Sequence, residues 1–232
     1  MHHMAERVED RDGGGVTPIS AMTDASVGIL GGTGALGRGL ASRLATVVGC
    51  VVLGSRDVER ARETAHLLDG NVVGATNASA CAADLVIVAV PWAAHDDLLS
   101  EVSDELRGRI VIDAVNPLGF DKAGAFVLPV EAGSASQRAQ QLLPHARVVG
   151  AFHHVAASAL SSDEPLDMDV LVVGDDREAV RAVSGLIDRV AGLRAIRAGR
   201  LRNAGQVEAI TANLIAINRA YRTQSGLRVT GV

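Results

Sequence analysis

Gly32, Gly34 and Gly37 stand at G-x-G-x-x-G spacing within Ser26–Leu40, SVGILGGTGALGRGL. That spacing suits a pyrophosphate brought against main chain. Gly32 permits a sharp turn, Gly34 has no side chain to hold the phosphate away, and Gly37 lets the following helix sit close to the strand. Further on come Ser55 and Arg56. Enzymes that use NAD carry an acid at this place for the ribose 2′-hydroxyl. A hydroxyl and a guanidinium, with Arg60 one turn later, suit a 2′-phosphate instead. Each charge-assisted hydrogen bond is worth about 1.5–3 kcal/mol, so two favour NADP by roughly 100-fold. The alternative for Arg56 is a solvated surface arginine.

Other unusual residues follow apolar runs. Pro91-Trp92 ends one, Asn116-Pro117 another, and His153-His154 a third. Trp92, the single tryptophan, either packs in the core or lines a pocket for the nicotinamide or a second substrate. Asn116 is a crevice residue or only part of a turn. Of the two adjacent histidines, one facing the crevice suffices, and the other reading is a satisfied core histidine. No Cys, Asp or Glu stands near them at metal-ligand spacing.

The absences also direct the chemistry. Lys122 is the one lysine and Tyr221 the one tyrosine, so no Tyr-x-x-x-Lys pair exists. No Ser-His-acid order stands out. Such a residue set is built to orient reactants, not to move protons, and hydride exchange between two bound redox rings asks little more.

These residues need a scaffold that brings them to one edge. Val27, Ile29 and Leu30 form a strand before the glycine turn, and the pattern from Leu36 onward is helical. Strands are expected at Cys50–Gly54, Asn71–Ala75, Leu85–Val90, Arg109–Ala114 and Arg147–Ala151. Helices are expected at Val58–Leu68, Ser79–Ala83, His95–Leu106 and Ser134–Leu143. This alternation predicts an α/β fold, a Rossmann doubly wound parallel sheet. Its ligands lie outside the carboxyl ends of the strands, at the switch between the first and fourth. After residue 151 the rhythm changes. A strand at Val170–Val173, a helix at Arg177–Val190, a strand at Leu193–Arg197 and one long helix at Leu201–Arg222 predict a small C-terminal α/β extension. The long helix carries a large apolar stripe (Val207, Ile210, Leu214, Ile217, Tyr221) and a small-residue face (Ala209, Ala212, Ala216, Ala220). Two such faces suggest a sandwiched helix at a dimer interface. The expected division is a flexible leader over 1–25, an NADP-binding domain over 26–150, and a domain over 151–232 that covers the cofactor crevice.

Composition sets outer bounds. With 232 residues, 48% hydrophobic and only 2% aromatic, the core must be built of Val, Leu, Ile and Ala. A net charge of −5 argues against a general nucleic-acid binder. The longest apolar stretch, Leu85–Ala94, is too short to span a bilayer. Cys50 and Cys81 fit neither a disulfide framework nor a metal site, which favours a reducing cytoplasm. The leader has no apolar stretch and is not a signal peptide. His2 and His3 read as a cloning remnant, and Met22 as an alternative start.

The ordered set GILGGTGALGRGLASRLA, GSRD at Gly54–Asp57, VPW at Val90–Trp92, the His153–Ala157 segment, DVLVVGDD at Asp169–Asp176 and INRAYRTQSGLRVTG resembles the NADPH-dependent reductases of the deazaflavin coenzyme F420. The likeness runs from about Ser26 to the end. It implies a cytoplasmic homodimer that passes a hydride between NADP(H) and coenzyme F420. It implies NADP at Gly32, Thr33, Gly34, Ala35 and Leu36, at Ser55, Arg56 and Arg60, and near Val90, Trp92, Asn116 and Ala157. It implies the deazaflavin near His153, Val155 and Leu227, with Thr33, Trp92 and His153 serving orientation and no catalytic acid or base. This chain has His154 where some relatives have Thr, and Ala93-Ala94-His95 where some have Glu-His. Two rivals share the scaffold: an NADPH-dependent reductase of a small imine, carbonyl or metal chelate, and a non-catalytic NADP-sensing regulator. Residues 191–232 also hold seven arginines against one acid, Glu208. They either serve structure and solvation or meet the anionic tail of the deazaflavin, with Arg222 and Arg228 best placed.

Overall fold

A computed structural model describes residues 24–232. Apart from Asp24 and Ala25, the expected leader, with its His2-His3 remnant and Met22, lies outside the described residues. The chain runs β1 (Ser26–Leu30), α1 (Ala35–Leu44), β2 (Cys50–Ser55), α2 (Val58–His66), β3 (Val72–Thr76), α3 (Asn77–Ala80), β4 (Leu85–Val88), α4 (His95–Glu101) and β5 (Ile110–Asp113). A hairpin of β6 (Leu118–Phe120) and β7 (Ala125–Val127) follows, then α5 (Ala135–Leu142), β8 (Arg147–Gly150) and α6 (Ala157–Leu160). The last elements are β9 (Met168–Gly174), α7 (Arg177–Arg189), β10 (Leu193–Arg197) and α8 (Ala204–Tyr221).

Eight strands form one sheet in the order β10-β9-β8-β5-β4-β1-β2-β3. Strands β1 to β5 and β8 are parallel, with β1 between β2 and β4. Both faces are covered, and alternate residues of each strand enter different layers. Val27 and Ile29 of β1, with Leu85 and Ile87 of β4, join one core, while Leu30, Val86 and Val88 join the other. That is why β4 is apolar throughout. Ile29 is fully buried, and Ile29→Ala should cost about 2–5 kcal/mol.

Beyond residue 150 the same sheet continues. After β8 the chain turns back through α6, a single turn too short to cross the sheet. It therefore re-enters antiparallel, with Gly150 opposite Val173. The 13-residue α7 then supplies a crossover, and β10 pairs parallel to β9. Because β9 runs backwards, its first residues lie at the carboxyl edge of the parallel strands. Helix α6 docks on α1, where Arg43 Nε donates to Leu160 O at 2.8 Å.

Several boundaries differ from the expected ones. The β6–β7 hairpin was not anticipated; its strands are three residues each, too short to show a period, and it packs on α8. The helix expected over His95–Leu106 ends at Glu101, and the one expected at Ser79–Ala83 starts at Asn77, where Thr76 caps it through Ser79 N at 3.1 Å. The last helix begins at Ala204 after a 3-10 turn, Leu201–Asn203. Its apolar stripe is divided. Val207 and Leu214 are buried, whereas Ile217 and Tyr221 are exposed, Tyr221 at 77%.

Candidate active site

All the parallel strands present their carboxyl ends on one edge, and the unusual residues gather there. At β1, Gly31 has φ +77°, and an added Cβ would lie 2.6 Å from the Val90 side chain. It is thus as necessary to the turn as the three motif glycines. A Cβ on Gly37 would lie 2.7 Å from Gly32 Cα, so α1 closes on the turn only with glycine at 37, and a Cβ on Gly32 would lie 2.8 Å from the Leu53 side chain of β2. Gly34 caps α1 with no side-chain hydrogen bond. Gly34 and Ala35 are exposed, and Thr33 and Leu36 are half-buried. The first N–H groups of α1 and its positive dipole end therefore open on the crevice, a ready seat for phosphate. These residues fit a pyrophosphate.

At the end of β2, Ser55 is buried and its Oγ accepts from Asp57 N at 3.1 Å. Asp57 in turn caps α2 through Arg60 N at 3.1 Å. Arg56 and Arg60 are both exposed beside this helix start, and Glu59 pairs with Arg62 and not with either of them. This set fits a 2′-phosphate, with two exposed guanidiniums beside a fixed hydroxyl and helix terminus.

Across the switch point, Trp92 opens a short 3-10 turn after β4 and is half-buried near Val90. Its ring stands 5.2 Å from the ring of His95, tilted by 36°. His95 is fully buried. Its Nε2 lies 2.9 Å from Asp113 Oδ2 at the end of β5, and its Nδ1 lies 3.1 Å from Asp96 Oδ1. Asp96 continues the chain to Arg138 Nε on α5 at 2.9 Å. Burial alone lowers the His95 pKa. The hydrogen bond and charge of Asp113, then those of Asp96, outweigh it and raise the pKa above its ordinary value. Trp92 thus leans on a buried histidine–aspartate pair.

Below the second half of the crevice lie His153 and His154, both buried, with Val155 buried and Ala157 half-buried beside them. The His153 ring turns inward, with Nε2 3.4 Å from Ser136 Oγ and 3.9 Å from Glu208 Oε1. Burial pulls both histidines down to about 4, so both are neutral. His154 Nε2 accepts from Leu171 N at 3.1 Å and ties the turn to β9. The His153 carbonyl accepts from Asn116 Nδ2 at 2.7 Å and from Thr211 Oγ1 at 2.9 Å. Glu208 accepts from Ala135 N and Ser136 N, at 2.9 and 3.1 Å, at the start of α5. Burial pushes its carboxyl up to about 7, against those two hydrogen bonds.

Leu227 is half-buried, and its carbonyl accepts from Asp169 N at 2.8 Å, at the crevice-side start of β9. Asp169 receives both arms of Arg194 at 2.8 Å and Arg228 Nη1 at 3.1 Å, and Arg228 also pairs with Asp167. The arginine hydrogen bonds hold the Asp169 carboxyl well below the usual range. This corrects the expectation for Arg228, whose guanidinium is committed to two aspartates that fasten the last residues of the chain. Of the seven arginines there, Arg194 and Arg228 are answered by Asp169 of β9, and Arg200 pairs with Asp175 just after it.

The expected residues of β1, β2, β4, β5 and β8 do converge, and His153 enters with its ring inward. His95, Asp113, Thr211 and Glu208 were not anticipated. Two of them carry a legible mark: Asp113 is the one charge in the apolar run Ile110–Val115, and Glu208 is the one acid among seven arginines. Among the described residues, no group of three or more His, Cys, Asp or Glu converges to hold a metal, and no helix is long and apolar enough to cross a membrane. Cys81 is buried, and burial with the nearby Glu105 pushes its thiol up to about 12, so it is an unreactive packing group.

A Rossmann sheet with an open glycine-rich helix start and paired arginines after its second strand defines the dinucleotide-binding oxidoreductase class. Within it, residues 26–117 match the family model described as NADP oxidoreductase, coenzyme F420-dependent. The chain is 38% identical over 220 residues to the F420-dependent NADP reductase of Methanothermobacter thermautotrophicus, covering 89% of this chain and 95% of that protein. It is 34% identical to the protein of that name from Methanocaldococcus jannaschii, over 89% and 98% of the two chains. A solved structure from Arthrobacter sp. FB24, named as a candidate F420-dependent NADP reductase, superposes with a TM-score of 0.76 at 26% identity, over 90% of this chain and 99% of that one. The chain belongs to the F420-dependent NADP reductase family.

Proposed function

We propose that this protein transfers a hydride between NADP(H) and the deazaflavin coenzyme F420. The observation that carries the reading is the single carboxyl edge of the sheet, where the open start of α1, the exposed Arg56 and Arg60 beside Ser55, and the turn with the buried, neutral His153 and His154 lie together. Gly32, Thr33, Gly34, Ala35 and Leu36 hold the pyrophosphate, and Ser55, Arg56 and Arg60 the 2′-phosphate. Val90, Trp92, Asn116 and Ala157 border the nicotinamide, and His153, Val155 and Leu227 the deazaflavin. The bound pair supplies the chemistry, a hydride passing between nicotinamide C4 and deazaflavin C5. The protein's part is to stack and align the two rings and exclude water. Neutral, buried His153 and His154 support this division, since neither offers a proton near neutrality.

Residues 151–232 form the unit that closes the crevice over both cofactors. The exposed apolar residues Phe120, Phe126, Val127, Ile217 and Tyr221, on the hairpin and on α8, support a homodimer that buries them. Free cysteines and the lack of a membrane-crossing helix among the described residues support a cytoplasmic setting. Mixing the protein with NADPH and F420 should bleach the deazaflavin absorbance as the hydride arrives. Activity only on imines, carbonyls or metal chelates, or cofactor binding without turnover, would replace this reading with one of its rivals. Sedimentation at micromolar protein should give twice the chain mass.

A further inference from the structure

Helix α8 reaches into the buried layer under the crevice. It does so with two polar side chains one turn apart, Glu208 and Thr211. Thr211 Oγ1 and Asn116 Nδ2 share the His153 carbonyl, so both its lone pairs are used. Glu208 fills the space between the His153 ring and the start of α5. Ser134 already caps α5 through Gln137 N at 3.0 Å, so Glu208 completes the remaining N–H groups and leaves α5 without slack.

The turn held in this way is not a relaxed one. Phe152, immediately before His153, has φ +65°, in the left-handed region that a bulky residue avoids, and is fully buried. Such a conformation persists only where its surroundings over-determine it. Here those surroundings are Asn116 and Thr211 on the His153 carbonyl, the turn bond from Val155 N to Phe152 O at 3.1 Å, and His154 Nε2 on Leu171 N. Cutting one of them leaves the strained residue free to relax.

We propose that Glu208 and Thr211 are positioning residues for hydride transfer, which fix the Phe152–Val155 turn from beneath so that it holds the second cofactor ring at reacting distance. The inference rests on the reading above, in which this turn borders the deazaflavin. Neither side chain touches a cofactor. They act through His153, and a misplacement of about 1 Å is enough to slow a reaction that depends on alignment. The groups facing Glu208 are His153 from the β8–α6 turn, Ser136 and the α5 main chain, and the carboxylate of Asp113 from β5, which is hydrogen-bonded to His95 of α4. Its ionised form accepts from both α5 amides, and its protonated form gives up part of that grip.

The test uses the full chain with Thr211→Val, Thr211→Ser and Glu208→Gln. Thr211→Val keeps shape and loses only the donor, so it folds. It should lower kcat about tenfold while the NADPH Kd stays within twofold, and Thr211→Ser should restore kcat to within twofold. In cofactor-free protein, the Val155 amide should exchange with solvent at least tenfold faster in Thr211→Val than in wild type or Thr211→Ser. Glu208→Gln should lower kcat most at pH 8, where the wild-type carboxylate is ionised, and least at pH 6. Wild-type kcat and Val155 exchange in Thr211→Val, with wild type itself reducing F420, would overturn the positioning role and leave the function standing. A wild type inactive toward F420 would overturn both.

Discussion

The two halves of the crevice are built on opposite plans. The NADP half is local and open. The groups proposed to meet NADP are the free main-chain N–H at Ala35 and Leu36, at the start of α1, and the exposed guanidiniums of Arg56 and Arg60, all between the end of β1 and the first turn of α2. The other half is assembled from afar and closed. Asp113, Ser136, His153 and Glu208 come from four elements spread over nearly a hundred residues, and each is buried. An open half can recognise a charged ligand that arrives from water and leaves again. A closed half recognises nothing by itself, and its polar groups are spent on each other to hold a surface still. Binding and alignment are thereby separated, and substitutions in the two halves should fail in different ways.

The largest effect belongs to the closed half. His95→Ala strands Asp113 as a buried, unpaired carboxylate and should cost about 3–5 kcal/mol of stability, read by urea unfolding at pH 7. In the wild type, the contribution of this pair is fully present below pH 6.5 and is lost as pH rises through the raised folded pKa of His95. A variant as stable as wild type would dissolve the contrast, since the pair would then be ornament. Gly34→Val should do the reverse. The backbone at Gly34, φ −72° and ψ 167°, admits any residue, and the new Cβ meets Gly31 O at 3.2 Å and Ala89 O at 3.9 Å. The fold should survive while NADPH binding weakens by at least about 100-fold, because the side chain takes the pyrophosphate's place. Loss of circular dichroism along with binding would tell against that separation.

Arg56→Asp comes next. One charge-assisted bond is lost and a repulsion gained, so NADPH should bind roughly 10- to 100-fold more weakly and NADH little changed. Equal kcat/KM for the two nicotinamides in wild type would remove the 2′-phosphate seat from the reading. The smallest effect is a slope. Folding raises Glu208 from 4.5 to about 7, so the folded chain binds the extra proton between those values and stability declines as pH climbs through them. Glu208→Gln should flatten that decline, by about 1–3 kcal/mol between pH 5 and pH 8. A wild type whose stability rises steadily over this range, with the glutamine variant parallel to it, would mean that Glu208 is ionised throughout.

The same contrast explains what could be read from the chain alone. The sheet order around β1, the glycine turn and Ser55–Arg56 are written in contiguous residues, where period, spacing and residue type act together. The hairpin at Leu118–Val127 left no signal because three-residue strands are held by α8 and not by their own pattern. The reversal of β9 depends on α6 being too short to cross the sheet, and chain length between strands does not reveal that when the intervening turn is irregular. His153 stood out by type, yet its inward ring follows from Glu208 and Thr211, more than fifty residues away. Arg228 looked like a free cation because Asp167 and Asp169, its partners, lie about sixty residues upstream in another element.

Trp92 standing on His95 gives the molecule a built-in optical gauge. It is the only indole in the chain, and the one tyrosine sits far along at the end of α8. Its emission therefore comes from a single place, the rim between the two halves of the crevice. Because a protonated imidazole quenches a neighbouring indole, the emission should rise as His95, 5.2 Å from the ring, loses its proton. On the proposed placement, a nicotinamide bound over the same rim should accept the excitation energy. One wavelength should thus follow both the charge on a histidine that never meets solvent and the arrival of the proposed nicotinamide beside it, without any label being attached.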